Sequence, residues 1–375
     1  MKDHISIKAK LQNVCDIFCI PGKLICFEEI SIGNVNSTYK VNYLCPDGTE
    51  KSYMVQDLNT YVFNNPVQVM ENIDKVTEYI RQKHPEKVSL HFHHTRDGKA
   101  YHLEENRFWR LFNYISSDTY NVTDDLNVVR NAGEAFGEFQ MMLGDFDAAQ
   151  LHETIIGFHD TRKRYEKLME DAKRNPLGKV SEVRKELEWL LLVKNKACSL
   201  TDMYRRNELP LRVTHNDAKI NNVLFDKESK KALAVIDLDT VMPGLVGNDF
   251  GDAIRFAANY VAEDCPEYDK AGINMDVFAA FAEGFLEKTA KTLTQSEIDT
   301  LALSCFALTT ELAVRFLDDY ILGSPYFKTD YPEHNLVRAR CQIALAQDML
   351  VRMRDMEEVV LYKAGSCKQQ VTSEE

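Results

Sequence analysis

A chain of 375 residues with a net charge of −13 and a pI near 5.3 is too long for one small core. At roughly 100–200 residues per domain, two domains are expected. The acidic balance argues against nucleic acid or an anionic membrane as partner, and phosphate binding would have to be local and cation-assisted. Nine scattered cysteines, an odd number with no Cys-x-x-Cys pair, read as reduced thiols of a cytosolic protein, not as a disulfide framework or zinc site. No apolar run of signal-peptide length follows Met1-Lys2-Asp3-His4, and none approaches the ~18 apolar residues of a membrane helix.

Along the chain, residues 5–20 read as a short helix or an extended lead-in, broken at Pro21-Gly22. Strands are expected at 25–27, 38–43 and 53–55, with Pro46-Asp47-Gly48 as a turn. Between the first two lies Ile32-Gly33-Asn34-Val35-Asn36-Ser37-Thr38, with one glycine and small polar donors. Such a loop suits closure over phosphates and equally an ordinary polar hairpin. Residues 66–83 have helical spacing, with Pro66 in the first turn. Segments 88–95 and 101–109 read as a strand pair around Asp97-Gly98. On that reading His91 and His93 share one face, with His94 beside them, either as structural strand residues or as a metal site. The strand-rich part ends at Arg110-Leu111-Phe112-Asn113-Tyr114-Ile115. Beyond it the pattern is helical: 132–143, 181–200 (stripe Val183, Leu187, Leu190, Leu191, Lys194), 276–291, 295–322 and 335–362. The class is α+β, with a small β-rich part over 1–115 and a large helical part over 116–375.

One hairpin interrupts the helical part and carries the chemistry. Val223-Leu224-Phe225 and 232–236 read as two short buried strands. Before them stands His215-x-Asp217-x-Lys219-x-x-Asn222, and the second strand ends in Asp237. This order matches the catalytic loop and metal-binding aspartate of kinase-fold phosphoryl-transfer enzymes. Asp217 can accept the proton of a substrate hydroxyl. Asn222 and Asp237 offer hard oxygen ligands to Mg²⁺. Lys219 can set a positive charge on the transferring phosphoryl group, or be a solvated surface charge. His215 reads as a loop brace. Asp249 reads as a helix N-cap. Asp239 reads as a metal ligand, an acceptor of sugar hydroxyls or a loop cap. Arg315 lies four residues before Asp319 on a helix, the spacing of an ion pair, yet it interrupts an apolar run and needs a partner. Tyr326 follows Gly323-Ser324-Pro325 and reads as loop packing or a pocket wall.

V-T-H-N-D-A-K-I-N-N-V-L at 213–224, V-I-D-L-D-T-V-M-P-G-L at 235–245 and D-F-G-D-A-I-R-F at 249–256 resemble the aminoglycoside phosphotransferase/choline kinase superfamily. With F-H-D-T at 158–161 and E-L-A-V-R-F-L-D-D-Y-I-L-G at 311–323, they are similar to the N-acetylhexosamine 1-kinases. The blocks span about residues 30–330. The resemblance implies a protein-kinase-like two-lobed fold, ATP with Mg²⁺ as donor, and transfer to the anomeric hydroxyl of a small-molecule sugar, GlcNAc or GalNAc. It implies Asp217 as base, Asn222 and Asp237 as Mg²⁺ ligands, and Asn113, Tyr114 and Ile115 as the strand facing adenine. It places sugar contacts at Arg315 and Tyr326 and makes Asp249 a brace of the catalytic loop.

One position departs from the general kinase pattern. Where the third strand normally carries a lysine for the ATP phosphates, Tyr53-Met54-Val55-Gln56 offers Gln56. The sugar 1-kinases tend to lack that lysine too. Asn36, Ser37, Thr38 and Gln56 are then the donors for the phosphates, and Glu71, the usual partner of the lysine, has no evident task. Two other readings stay open. One keeps the chemistry with choline, homoserine or an aminoglycoside as acceptor, favoured by Asp318-Asp319 and opposed by Arg315. The other is a nucleotide-binding pseudokinase scaffold, favoured by the missing lysine and opposed by the intact Asp217, Asn222 and Asp237.

Overall fold

The computed structural model describes residues 2–30, 36–59, 65–104 and 107–369. The chain divides into two compact units, one of residues 1–118, 149–154 and 236–242, the other of 119–148, 155–235 and 243–375.

The first unit is built on α1 (Lys2–Ile17), β1 (Lys23–Ile30), β2 (Ser37–Leu44), β3 (Glu50–Leu58), α2 (Pro66–Lys83), β4 (His102–Glu104) and β5 (Arg107–Asn113). The strands form one antiparallel sheet in the order β1-β2-β3-β5-β4. The lead-in is a helix because Leu11, Val14, Cys15 and Phe18 repeat at helical spacing. They pack with Val41, Tyr43, Val55, Trp109 and Leu111 from the sheet. Full burial of such a side chain contributes about 1.5–3 kcal/mol. Helix α2 starts where Asn65 accepts the N–H of Gln68 and Pro66 fixes the first turn.

The expected strand 88–95 is absent. Only Phe92 bridges to Phe112, because the Asn113 side chain accepts the His91 N–H and Thr95 closes a turn onto Lys99. The expected strand 101–109 is two strands, β4 and β5, which pair antiparallel with Glu104 opposite Arg107, while residues 105 and 106 lie outside the described residues. His91 and His93 lie side by side as expected, with ring centroids 4.7 Å apart, and each histidine has a further neighbour. His91 faces Glu78 at 3.4 Å, His94 meets Asp74 at 2.8 Å, and His93 packs on Tyr53.

The second unit contains α3 (Leu126–Met142), α4 (Thr161–Arg174), α5 (Arg184–Ala197), α6 (Ser199–Arg205), β6 (Arg212–Thr214), β7 (Val223–Phe225) and β8 (Ala232–Val235). β9 (Met242–Gly244) begins at the last residue of the first unit. α7 (Val246–Ala257), α8 (Met275–Thr289), α9 (Gln295–Ile321), α10 (His334–Val351) and α11 (Met353–Gln369) follow. β7 and β8 form the expected antiparallel hairpin, although β8 is only half-buried.

Helix α9 is the axis of this unit. Thr294 and Glu297 form its capping box, and buried residues surround it on all sides. The sequence reading found no stretch approaching a membrane span, but α9 has an 18-residue window of mean hydropathy 1.4. That window is 89 % buried, so its apolar character belongs to the core of the unit. Helices α3 and α8 pack backbone to backbone. A Cβ at Gly133 would lie 2.2 Å from the Phe281 carbonyl oxygen, and one at Gly284 2.0 Å from that of Arg130.

Two helical expectations change. The buried stripe of α5 is Leu187, Leu190, Val193 and Ala197, the positions that 3.6-residue periodicity turns inward together, while Leu191 is exposed. The stretch 335–362 is two helices. α10 ends at Arg352, which leaves helical geometry (φ −96°, ψ 8°) and turns its side chain back onto Asp348.

Candidate active site

In the second unit, the residues between β6 and β7 form a short loop whose shape is set by a buried carboxylate. Asp249 accepts the backbone N–H of His215 at 2.9 Å, that of Asn216 at 2.7 Å, and the Gln140 amide at 2.9 Å. Asp249 lies inside the first turn of α7, which starts after Leu245, so it is not the helix N-cap that one reading of the sequence offered. Burial pushes its carboxyl up, against the pull of His215 and of those N–H groups. Asn216 takes a left-handed conformation (φ 63°), and its side chain bonds Thr214. Gly244 leaves the room for this, since a Cβ there would lie 2.2 Å from Thr214 Oγ1 and 2.8 Å from Asn216 Oδ1. The His215 ring is fully buried, packed edge-on by Phe136 and Phe139, and its Nδ1 accepts the Asp217 N–H at 3.3 Å.

Asp217 therefore stands half-exposed on a braced backbone. Lys219 Nζ lies 2.7 Å from its Oδ1. Asn222, in the 3₁₀ turn that precedes β7, donates its amide to the Asp217 carbonyl at 2.8 Å and to Oδ2 at 3.4 Å. The Asn222 N–H₂ thus faces Asp217, and its Oδ1 is the atom left for a hard cation. Burial would push the Lys219 ammonium down, but Asp217 and Asp252 outweigh it and hold its pKa raised. Asp252 is lowered against its own burial by Arg255 and Lys219.

The sequence reading quoted the string 158–161 and the helix from Glu311 but gave no role to His159 or Glu311. They form a buried pair under the loop. His159 Nδ1 meets Glu311 Oε1 at 2.9 Å, and its Nε2 meets the Asn216 carbonyl at 3.2 Å. Thr161 donates to the other Glu311 oxygen at 2.7 Å. Burial would push the imidazolium down, but Glu311 prevails and the pKa is raised. Glu311 is lowered in return against its own burial. A glutamate embedded in the apolar run of α9 was the available signal.

Arg315, one turn beyond Glu311, lines a cavity of about 200 Å³ with Arg164, Lys167, Asp318, Asp319 and Tyr326. Its guanidinium lies over Phe158 at 5.2 Å and Phe327 at 5.5 Å. The i,i+4 pair with Asp319 is not made. Asp319 instead accepts the N–H groups of Tyr326 and Phe327 at 2.9 Å each, and the Asn335 amide at 2.8 Å. Among the described residues no carboxylate pairs with Arg315. Asp318 pairs with Lys167 at 2.6 Å, and Lys167 also meets Asp171. Tyr326 is 70 % exposed at the rim.

In the first unit, Asp237 is exposed in left-handed geometry (φ 60°, ψ 54°), which aspartate tolerates better than most residues, and a 3₁₀ turn from Leu238 to Thr240 follows. Asp239 in that turn is 4 % exposed. Both its oxygens accept from Arg110, and Oδ2 also takes the Asn36 amide at 3.3 Å. Its carboxylate thus ties down the loop, and the metal and sugar readings of Asp239 lose their free oxygens. Gln56 links Arg110 Nε (2.8 Å) to the Thr38 hydroxyl (3.0 Å). Ser37 and Thr38 begin β2, and residues 31–35 of the expected phosphate loop lie outside the described residues. Glu71 meets His152 at 2.8 Å. Asn113 closes β5. Its N–H and that of Tyr114 go to the carbonyls of His91 and Ser52, which leaves the Ile115 N–H without a partner among the described residues.

A family model described as a phosphotransferase enzyme family matches residues 27–283. Solved structures share the fold at low identity. An aminoglycoside phosphotransferase from Alicyclobacillus acidocaldarius is similar with a TM-score of 0.56 at 13 % identity, over 96 % of each chain. An amicoumacin kinase solved with AMP-PNP and Ca²⁺ gives 0.55 at 12 %, over 92 % of this chain and 96 % of that one. A choline kinase from Cryptosporidium parvum gives 0.50 at 14 %, over 92 % and 90 %. With an antiparallel sheet leading into a helical region, and a family match over more than half its length, the chain belongs to the phosphotransferase enzyme family and has a kinase-like fold.

Proposed function

We propose that the protein is an ATP- and Mg²⁺-dependent kinase that phosphorylates the anomeric hydroxyl of an N-acetylhexosamine. The observation that carries the reading is the pairing, in one unit, of a braced Asp217 with a cavity that is cationic and aromatic. The two are joined through Asn216, His159 and Phe158 to Arg315. Arg164, Arg315 and Lys167 in the cavity, with Asp318 paired to Lys167 and Asp319 taken up by N–H groups, support a neutral acceptor over choline or an aminoglycoside. Arg315, which makes no ion pair among the described residues, suits the acetyl and hydroxyl oxygens of a sugar. Tyr326 and Phe327 suit its C–H face.

In this mechanism Asp217 accepts the proton of the C1 hydroxyl as that oxygen forms its bond to the γ-phosphorus and the bond from phosphorus to the ADP oxygen breaks. The anomeric hydroxyl is more acidic than an ordinary alcohol, which eases the transfer. Lys219 stabilises the Asp217 carboxylate before the step. Asn222 Oδ1 and Asp237, assigned by their order along the chain, would hold Mg²⁺, which when bound offsets charge on the phosphates. Asn36, Ser37, Thr38 and Gln56 are candidate phosphate donors. The open Ile115 N–H is the adenine-facing donor of residues 113–115.

The test is ATP turnover on a panel of GlcNAc, GalNAc, glucose, galactose, choline, homoserine and kanamycin. A product phosphate stable to alkali but labile to acid, formed from the N-acetylhexosamines, is the expected result. Turnover confined to an amine acceptor would remove the sugar reading and leave Asp217 in place. Nucleotide binding without any turnover would favour the scaffold.

A further inference from the structure

The sheet unit lacks a charged residue at Gln56, yet it buries one cation among its described residues. Arg110 is 3 % exposed, and register places it directly opposite Gln56 on β5. Its donors are almost fully committed inside the protein. Nε goes to Gln56 Oε1, the two terminal nitrogens go to the two oxygens of Asp239, and one of them also approaches Met70 Sδ at 3.8 Å. The Phe92 ring lies 5.8 Å from the guanidinium carbon. A guanidinium so enclosed cannot serve as a phosphate clamp. It can fix a backbone.

The backbone it fixes is the one that carries Asp237. Asp239 is two residues on, in the same 3₁₀ turn. Asn36 reinforces the tie by donating to Asp239 while its Oδ1 accepts the Asn59 N–H at 3.0 Å. Farther along, Asn72 of α2 donates to the Val241 carbonyl at 2.9 Å. The segment 237–241 is thus held from β5, from the start of β2 and from α2. Left-handed geometry at Asp237, a modest cost even for aspartate, is offset by such support.

We propose that Arg110 is a positioning residue for the metal-binding aspartate. Its ion pair with Asp239, oriented by Gln56, sets Asp237 to receive Mg²⁺, and it does so in place of a charge on β3. The inference rests on the nucleotide and metal reading above. It needs no direct contact of Arg110 with substrate.

The experiment is calorimetric titration of ATP, with and without Mg²⁺, on folded protein checked by circular dichroism. The quantity read is the ratio of the two affinities. Wild type must show a gain with Mg²⁺; without ATP binding the nucleotide reading itself falls, whatever Arg110 does. The double variant Arg110→Met/Asp239→Leu removes the pair without leaving a buried charge. It is expected to lose roughly 10–100-fold of the Mg²⁺-dependent gain, as for other groups that orient metal ligands. Its Mg²⁺-free affinity should stay within about twofold of wild type. Asp239→Asn, which keeps the shape, gives the same split and decides the matter if the double variant does not fold. Arg110→Lys should restore part of the gain. A wild-type gain in the double variant would make the pair merely structural and overturn the proposal. An equal loss with and without Mg²⁺ would also overturn it, by making the pair a support of the phosphate donors Asn36 and Gln56 and not of Asp237.

Discussion

Two polar networks can be compared, the Asp217 loop in the helical unit and the Arg110 cluster in the sheet unit. The first is nearly local. His215, Asn216, Asp217, Lys219 and Asn222 lie within eight residues, and three buried groups from outside, Asp249, Gln140 and His159, hold their backbone. The second is wholly non-local. Asn36, Gln56, Arg110 and Asp239 come from four separate segments and meet only in the folded unit. A local loop can leave its reactive carboxylate half-exposed because the backbone carries the order. A non-local cluster must bury its charges and saturate them, since an unpaired buried charge costs several kcal/mol.

Four changes test that contrast. Asp217→Asn should lower kcat by about 10²–10⁴-fold, a barrier increase of roughly 3–5 kcal/mol, with Tm within about 2 °C of wild type. Steady-state kinetics beside a thermal melt reads both, and a large Tm loss would contradict a loop ordered by its backbone. Gly284→Val should cost about 3 kcal/mol of stability by forcing α3 from α8, while KM values stay unchanged in whatever protein remains folded. Urea unfolding measures it, and unchanged stability would show that the two helices can separate freely. Asp249→Ala orphans three buried donors and should cost about 2–3 kcal/mol together with a fall in kcat, because the bracing and the chemistry share one backbone.

The smallest effect is a pH dependence. The raised pKa of His159 contributes stability that is complete below the ordinary histidine value of about 6.5 and fades as pH rises through the folded value. The lowered pKa of Glu311 contributes stability that is complete above the ordinary carboxylate range and fades as pH falls through its folded value. The stability gap between wild type and His159→Gln should therefore be widest at about pH 5–6, near 1–2 kcal/mol, and narrow toward alkaline pH. A gap that widened with pH would show that His159 is buried neutral.

The same contrast explains what could be read early. Spacing alone assembled Asp217, Lys219 and Asn222, because residues two and five apart in a tight turn cannot separate far. Alternation gave β2 and β3, and helical period gave α2, α8 and α9. The segment 88–95 misled because its residues alternate like a strand, yet the ladder stops at the bonds flanking Phe92, where the Asn113 side chain takes the His91 N–H that would extend it. For Asp249 spacing alone allowed a cap, because a carboxylate near a helix start looks alike on either side of it; the brace implied by the resemblance is the role it takes.

The sequence by itself determined the phosphotransferase family, the strand-then-helix order and the close grouping of Asp217, Lys219 and Asn222. These depend on short-range geometry and on side-chain chemistry. Only the tertiary structure decided that Arg110 belongs to Asp239, that His159 and Glu311 lie beneath Asn216, and that Arg315 faces aromatic rings and not Asp319. Charge pairing across more than a hundred residues leaves no periodic trace in the chain. Burial selects such pairs, and burial exists only after folding.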